Sequence, residues 1–285
     1  VVDLKILITG ARGQLGCDLE HNFFKIEGCQ VVSFGREEMD VTQSTNVQEL
    51  VAANTPDVVI HSAANTNVDS CELEPDSAYC VNALGSRNIA VASEMVGAKL
   101  VYVSTDYVFD GTSQRPYTEF DKTNPISIYG KSKLAGERYV AGFSSKYFIV
   151  RTSWLYGEHG NNFVKTMLRL AKEKTELNVV DDQVGSPTYT KDLARFIAVL
   201  LRTDLYGIYH ATNTGSCSWF QFAETIFQIS GLSHIKVNPI TTSELNRPAP
   251  RPAYSILDHY CIRLEGLPDL RPWEEALHEY LSNQR

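Results

Sequence analysis

Short apolar runs rich in β-branched residues recur along the first half of the chain, at positions 4–9, 30–34, 58–62, 100–104 and 147–152. Between them lie longer stretches of helical period at 13–24, 44–54, 75–96 and 129–143. Alternation of this kind is the pattern of a parallel sheet covered by helices, and right-handed crossovers of that length build a doubly wound α/β fold. The second half reads differently. Positions 162–174, 190–201 and 218–229 have helical character, 177–180 and 207–211 are extended, and a proline-rich stretch at 246–253 precedes a terminal helix near 273–281. A boundary near residue 155 is therefore expected, with 1–155 holding the sheet and 156–285 mainly a smaller second lobe, from which the 190–201 helix is free to return and cover the sheet.

The carboxyl ends of these strands carry the candidate chemistry. After the first strand comes Gly10-Ala11-Arg12-Gly13-Gln14-Leu15-Gly16, a G-x-x-G-x-x-G run that opens a helix. Glycines at this spacing let the backbone turn tightly, let a diphosphate approach the helix N-terminus and let the helix sit close to the sheet, so Gly10, Arg12, Gly13, Gln14, Leu15 and Gly16 are candidate dinucleotide contacts in a Rossmann-type fold. The second strand ends in Gly35-Arg36, where NAD-preferring folds carry an acid. Arg36 either pairs with a 2′-phosphate, which favours NADPH, or is a solvated surface arginine. Asp40 and Val41 are placed to meet the adenine if the chain folds back there, although Asp40 serves equally as a cap for the helix beginning near Ser44. Small residues after the third strand, Ala63, Ala64 and Asn65, permit close approach of a ligand. His61, alone in an apolar strand, reads as a core residue.

Tyr129 and Lys133 stand four apart and so share one helix face. Carbonyl reduction needs a proton donor beside the developing alkoxide, and a cation next to a tyrosine favours its ionised form. The fourth strand ends in Ser104-Thr105-Asp106, which brings a hydroxyl to the same sheet edge.

Together, Gly10 to Gly16, Ser104 to Asp106 and Tyr129 to Lys133 resemble the extended short-chain dehydrogenase/reductase superfamily. The blocks Ser62-Ala63-Ala64-Asn65-Thr66, Ser104-Thr105-Asp106-Tyr107-Val108-Phe109-Asp110-Gly111 and Arg151-Thr152-Ser153-Trp154-Leu155-Tyr156-Gly157 narrow the resemblance to the dTDP-4-dehydrorhamnose reductase family. Asp182 to Thr188 and Arg247 to Pro252 extend it into the second half. The resemblance implies reduction of the C4 ketone of dTDP-4-dehydro-β-L-rhamnose by NADPH or NADH, with Thr105, Tyr129 and Lys133 as the catalytic set. It further implies that Thr105, Asp106, Tyr129 and Trp154 contact the deoxysugar. An aromatic plane suits a sugar's apolar face, although a core role serves Trp154 as well. Arg251, on a stiff Pro-rich segment, is expected to hold the substrate's diphosphate. Some members of that family dimerise through magnesium held by glutamates; Asp18 and Lys191 stand in the corresponding neighbourhoods, and no metal is expected because lysine is a poor magnesium ligand. Two other readings fit the same fold: a nucleotide-sugar 4-epimerase that retains NAD, and a non-catalytic NADP-binding regulatory subunit similar to that of methionine adenosyltransferase. A 4,6-dehydratase is disfavoured, because Tyr107 stands where the second acid belongs.

Composition sets bounds on partners. The 285 residues are 43% hydrophobic and 21% charged, with 26 Lys and Arg against 34 Asp and Glu. A net charge of −8 argues against nucleic acid or an anionic membrane as partner and leaves a small nucleotide-sugar as the expected ligand, with the protein a monomer or homodimer. No apolar run approaches the ~20 residues that span a bilayer, so a cytoplasmic protein is expected. Cys17, Cys29, Cys71, Cys80, Cys217 and Cys261 lack metal-ligand spacing and are expected to be reduced, mostly buried thiols.

Overall fold

A computed structural model describes residues 4–284. Its first half runs β1 (Leu4–Thr9), α1 (Gln14–Phe24), β2 (Cys29–Phe34), α2 (Ser44–Asn54), β3 (Val58–His61), α3 (Val68–Leu73), α4 (Pro75–Tyr79), α5 (Ser86–Met95), β4 (Lys99–Thr105), α6 (Ile128–Phe143) and β5 (Tyr147–Thr152). The second half runs β6 (Leu155–Tyr156), α7 (Phe163–Leu170), β7 (Glu176–Val180), β8 (Val184–Gly185), β9 (Thr188–Tyr189), α8 (Thr190–Leu200), β10 (Gly207–His210), β11 (Cys217–Ser218), α9 (Trp219–Ile229), β12 (Lys236–Ile240), α10 (Thr242–Leu245), α11 (Tyr260–Leu264) and α12 (Trp273–Ser282).

Six strands form one parallel sheet in the order β10-β5-β4-β3-β1-β2. The order reverses between β1 and β3, and at such a point the two adjoining loops diverge and leave a crevice at the carboxyl edge. Apolar residues fill both faces. On one, Ile6, Ile8, Val101 and Phe148 pack with Leu15 and Leu19 of α1 and Leu193 and Ile197 of α8. On the other, Leu7, Val59, Leu100 and Ile149 pack with α2, α5 and α6 through Val47, Ile89 and Val140. The smaller lobe has its own core, in which Tyr156, Tyr189, Phe222 and Tyr280 meet.

The chain crosses between lobes more than a boundary at 155 implies. Besides α8, strand β10 joins the sheet edge, and Ile262 and Leu270 lie in the sheet's core. The expected helix at 75–96 is broken into α4, a π-helical turn at Cys80–Gly85, and α5. The expected helix at 162–174 is regular only to Leu170. Strand β12, with Pro239 inside it, pairs in parallel with β7 and was hidden by its polar composition. The proline-rich stretch is a strap, not a linker: Val184 donates its N–H to the Ala253 carbonyl at 2.8 Å, and Ser255 returns one to Val184. Only Cys71 and Cys217 are buried; the other four cysteines are half-buried, and two of them, Cys29 and Cys261, pack against the edge of the sheet core.

Among the described residues, no helix is long and apolar enough to cross a membrane.

Candidate active site

Two adjoining cavities of about 510 and 500 Å³ lie along the carboxyl edge of the sheet and share Gly10, Gly13, Ser62 and Ala64. The glycine loop forms the wall between them. Gly10 takes a φ of +70°, and a Cβ there would lie 2.6 Å from the Ala63 nitrogen, so the loop closes on the β3 edge only without a side chain. Helix α1 has Gly13 as its N-cap, with no side-chain cap and no acid in its first turn. Its amide donors and positive dipole end are thus presented to an anion, which is what a dinucleotide's diphosphate requires. Gln14 also ties the loop to the second lobe, donating to the Leu155 carbonyl at 3.0 Å and accepting from Asn162 at 2.8 Å.

Arg12, Arg36, Asp40, Val41, Ala63 and Asn65 line the second cavity. Asp40 accepts from the backbone N–H and hydroxyl of Thr42, and Gln43 is the N-cap of α2, so Asp40 orders the turn and does not cap the helix. The loop after β3 is held from behind by Asn82, which exchanges hydrogen bonds with the Asn65 backbone and donates to Ser132 at 3.0 Å. Asn82 lies in the π-helical turn, and it joins the loop after β3 to α6 beside Lys133. Nothing in the helical period marks it.

Thr105, Asp106, Tyr129, Lys133 and Trp154 line the first cavity together. Ser127 caps α6 by accepting from the Gly130 N–H. Gly130 lets that first turn lie against the turn after β4, since a Cβ would stand 2.1 Å from the Tyr107 carbonyl oxygen. This close approach sets the phenol of Tyr129 beside the Thr105 hydroxyl. Tyr107 meets the Tyr129 ring edge-on, with centroids 5.6 Å apart. Burial pushes Tyr129 above its ordinary pKa, the Thr105 hydroxyl opposes this, and the Asp106 carboxylate adds to it. The phenol is therefore protonated at neutral pH, the state a proton donor needs.

Lys133 is tied to β4. Its ammonium donates to the Val103 carbonyl at 2.7 Å and lies 4.2 Å from the Tyr102 ring centre, so it is not aimed at the tyrosine hydroxyl. Burial pushes it down to about 7, against the field of Glu137. Glu137 belongs to a buried network that sequence reading missed. It accepts from Ser104 at 2.6 Å and takes two hydrogen bonds from Arg151, which also reaches His210. The network locks β4, β5, β10 and α6 together directly beneath the reacting groups. Asp106 accepts from Thr105 at 2.9 Å, and burial raises its carboxyl to about 6, opposed by the hydroxyls of Ser255 and Thr105.

Trp154 has the left-handed backbone (φ 48°) and stacks on Trp219 with ring centres 3.5 Å apart. Trp219, from the second lobe, also lines the cavity and was not foreseen, since one aromatic at the start of an apolar helix carries no distinguishing spacing. Arg251 does not line either cavity. It is held by Asp69 of α3 through two 3.0 Å contacts, and Arg247 reaches the same carboxylate, so the strap is pinned to the sheet half and the expected diphosphate role has no support from this geometry. His61 is a core residue, between Thr9 and Ser86, and burial lowers it to about 3. Lys191 pairs with Glu158, and Asp18 accepts from Thr190. Among the described residues no group of three acids, histidines or cysteines gathers as a metal site would.

Comparison with known proteins bears on this cleft. Residues 4–285 match a family described as RmlD substrate binding domain. The chain is 45% identical to a spore coat polysaccharide biosynthesis protein of Bacillus subtilis, covering 98% of each chain. It is 44% identical to a dTDP-4-dehydrorhamnose reductase of Streptomyces griseus, covering 96% of this chain and 91% of that one. A crystal structure of dTDP-4-dehydrorhamnose reductase from Bacillus anthracis in complex with NADP superposes with a TM-score of 0.96 at 49% identity, over 99% of this chain and 100% of the other.

Proposed function

As the chain belongs to the RmlD substrate binding domain family, we propose that it is an NADPH-dependent oxidoreductase that reduces the C4 ketone of dTDP-4-dehydro-β-L-rhamnose, in the biosynthesis of dTDP-L-rhamnose. The observation that carries this reading is the meeting of Thr105, Tyr129 and Lys133 in one cavity whose wall is the glycine loop. The residues of the cleft fit the cofactor: an uncapped helix N-terminus for the diphosphate, two arginines at the adenosine end and a buried lysine at the nicotinamide end.

When bound, NADPH supplies the hydride that goes to the C4 carbon. Tyr129 delivers its phenolic proton to the ketone oxygen, so the C=O bond becomes one C–H and one O–H bond and the tyrosine is left to be reprotonated from solvent. Thr105, beside the phenol, fixes the oxygen in line with that proton. Lys133 places a positive charge one turn along the same helix, where it favours the transient tyrosinate and holds the cofactor's ribose. The Trp154 and Trp219 pair offers an apolar plane to the deoxysugar, and Asp106 receives its hydroxyls.

The test is direct. Protein supplied with NADPH and dTDP-4-dehydrorhamnose is expected to consume NADPH and form dTDP-rhamnose in equal amounts. Absence of NADPH consumption would favour a binding subunit, and protein that retains stoichiometric, non-exchangeable NAD would favour an epimerase.

A further inference from the structure

Strand β2 ends at Phe34, and in a dinucleotide fold the residues that follow decide between the two nicotinamide cofactors: an acid there accepts a hydrogen bond from the ribose 2′-hydroxyl, whereas an arginine receives a 2′-phosphate. This chain has glycine at the first such position, yet it has not lost the acid. Glu38 turns back so that one carboxylate oxygen accepts the Gly35 N–H at 2.5 Å. A Cβ built on Gly35 would lie 2.7 Å from that oxygen and 2.7 Å from Cγ of Arg12. The Glu38 carboxylate thus fills the place that a side chain at position 35 would take. Its other oxygen lies 3.2 Å from Nη2 of Arg12. Arg12, Gly35 and Arg36 all line the adenosine cavity.

We propose that Glu38 is the residue that sets the choice between NADH and NADPH, standing in for the missing strand-end acid toward a ribose 2′-hydroxyl and opposing a 2′-phosphate by its own charge and its hold on Arg12. The inference rests on the dinucleotide reading given above and deepens it. A phosphate has to take Arg12 from Glu38 or lie beside a carboxylate, with Arg36 as the remaining cation. A ribose hydroxyl meets an acceptor already in place. The Arg12 hydrogen bond, with that of the Gly35 N–H, holds the Glu38 carboxyl below its usual range, so the opposing charge is present throughout the neutral range. Both partners are largely exposed, so the effect is one of preference and not of folding.

The experiment compares the wild type with Glu38→Gln, measuring calorimetric dissociation constants for NADPH, NADH and the two adenosine halves, 2′,5′-ADP and 5′-AMP. The halves carry no nicotinamide, so their binding is read without turnover. Glu38→Gln is expected to tighten 2′,5′-ADP and NADPH and to weaken 5′-AMP and NADH, moving the ratio about tenfold toward the phosphorylated form, the scale of one unit charge near a dianion in water. An unchanged ratio, or equal changes for both forms, overturns the assignment while leaving the dinucleotide reading intact. Failure of the wild type to bind any of the four overturns both.

Discussion

At the proposed adenosine end of the cleft the chain presents backbone and exposed charge: the Gly10 turn, the uncapped start of α1, and Arg12 and Arg36 lining the cavity, with Glu38 bonded to Arg12 from beside it. The proposed nicotinamide and sugar end instead presents side chains from β4, α6, the turn after β5 and α9, with Lys133 and Asp106 both displaced from their ordinary pKa values by burial. In the proposed function the first end recognises charge and shape that every dinucleotide shares, and amides serve because they need no side chain to place them. The second end must hold a phenol, a hydroxyl and a carbonyl in one geometry. That requires rigid support, supplied by the Glu137, Arg151 and Ser104 network and by Asn82.

Removing the proton donor separates the two ends most sharply. Tyr129→Phe is expected to lower kcat by about 10³-fold with NADPH affinity nearly unchanged, because general acid catalysis is worth about 10² to 10⁴. Turnover close to wild type would show that another group supplies the proton.

Gly10→Ala attacks the other end. It combines a strained left-handed backbone with a Cβ 2.6 Å from Ala63, and urea unfolding should show a loss of about 2 kcal/mol or more, with NADPH binding weakened in parallel. Normal stability and affinity would mean that the loop tolerates a side chain and the wall between the cavities is not rigid.

Asp106→Asn tests the cost of burying charge at the reacting end. A carboxyl raised to about 6 from an ordinary value near ~4 is protonated more readily in the folded state than in the unfolded chain. Its contribution to stability therefore falls as pH rises through that window, and the cost is fully present above 6. The variant should gain stability over wild type by about 3 kcal/mol at pH 8 and by little at pH 4. A gain independent of pH would assign the effect to packing. The smallest effect concerns the missed tryptophan: Trp219→Leu should raise KM for the nucleotide-sugar about fivefold with little change in kcat or in cofactor affinity, the scale of one lost stacking contact. A loss confined to stability would make the indole pair a weld between lobes and nothing more.

Much of this was legible in the residues. Strands β1 and β5 fall where the apolar runs predict, because a strand covered on both faces reads as a mostly apolar run. The face shared by Tyr129 and Lys133 follows from helical spacing alone. Reading failed where partners are distant in the chain. Trp219 meets Trp154 across 65 positions, Asn82 reaches Ser132 across 50, and Asp69 holds Arg251 across 182. The broken helix at 75–96 failed for another reason: a π-helical turn adds a residue to the ladder without disturbing composition, so periodicity passes over it.

Local pattern by itself determined the α/β class, the sheet edge at which the cavities lie, the glycine loop and the tyrosine–lysine face. Each depends on backbone geometry and nearest neighbours, which a few consecutive residues specify. Only the tertiary structure decided how the lobes interleave, which carboxylates are buried beneath the reacting groups, where the Lys133 ammonium points, and that Glu38 occupies the space vacated at Gly35. Those outcomes depend on burial and on which charge reaches which partner. Both are properties of packing between distant segments, and no local spacing encodes them.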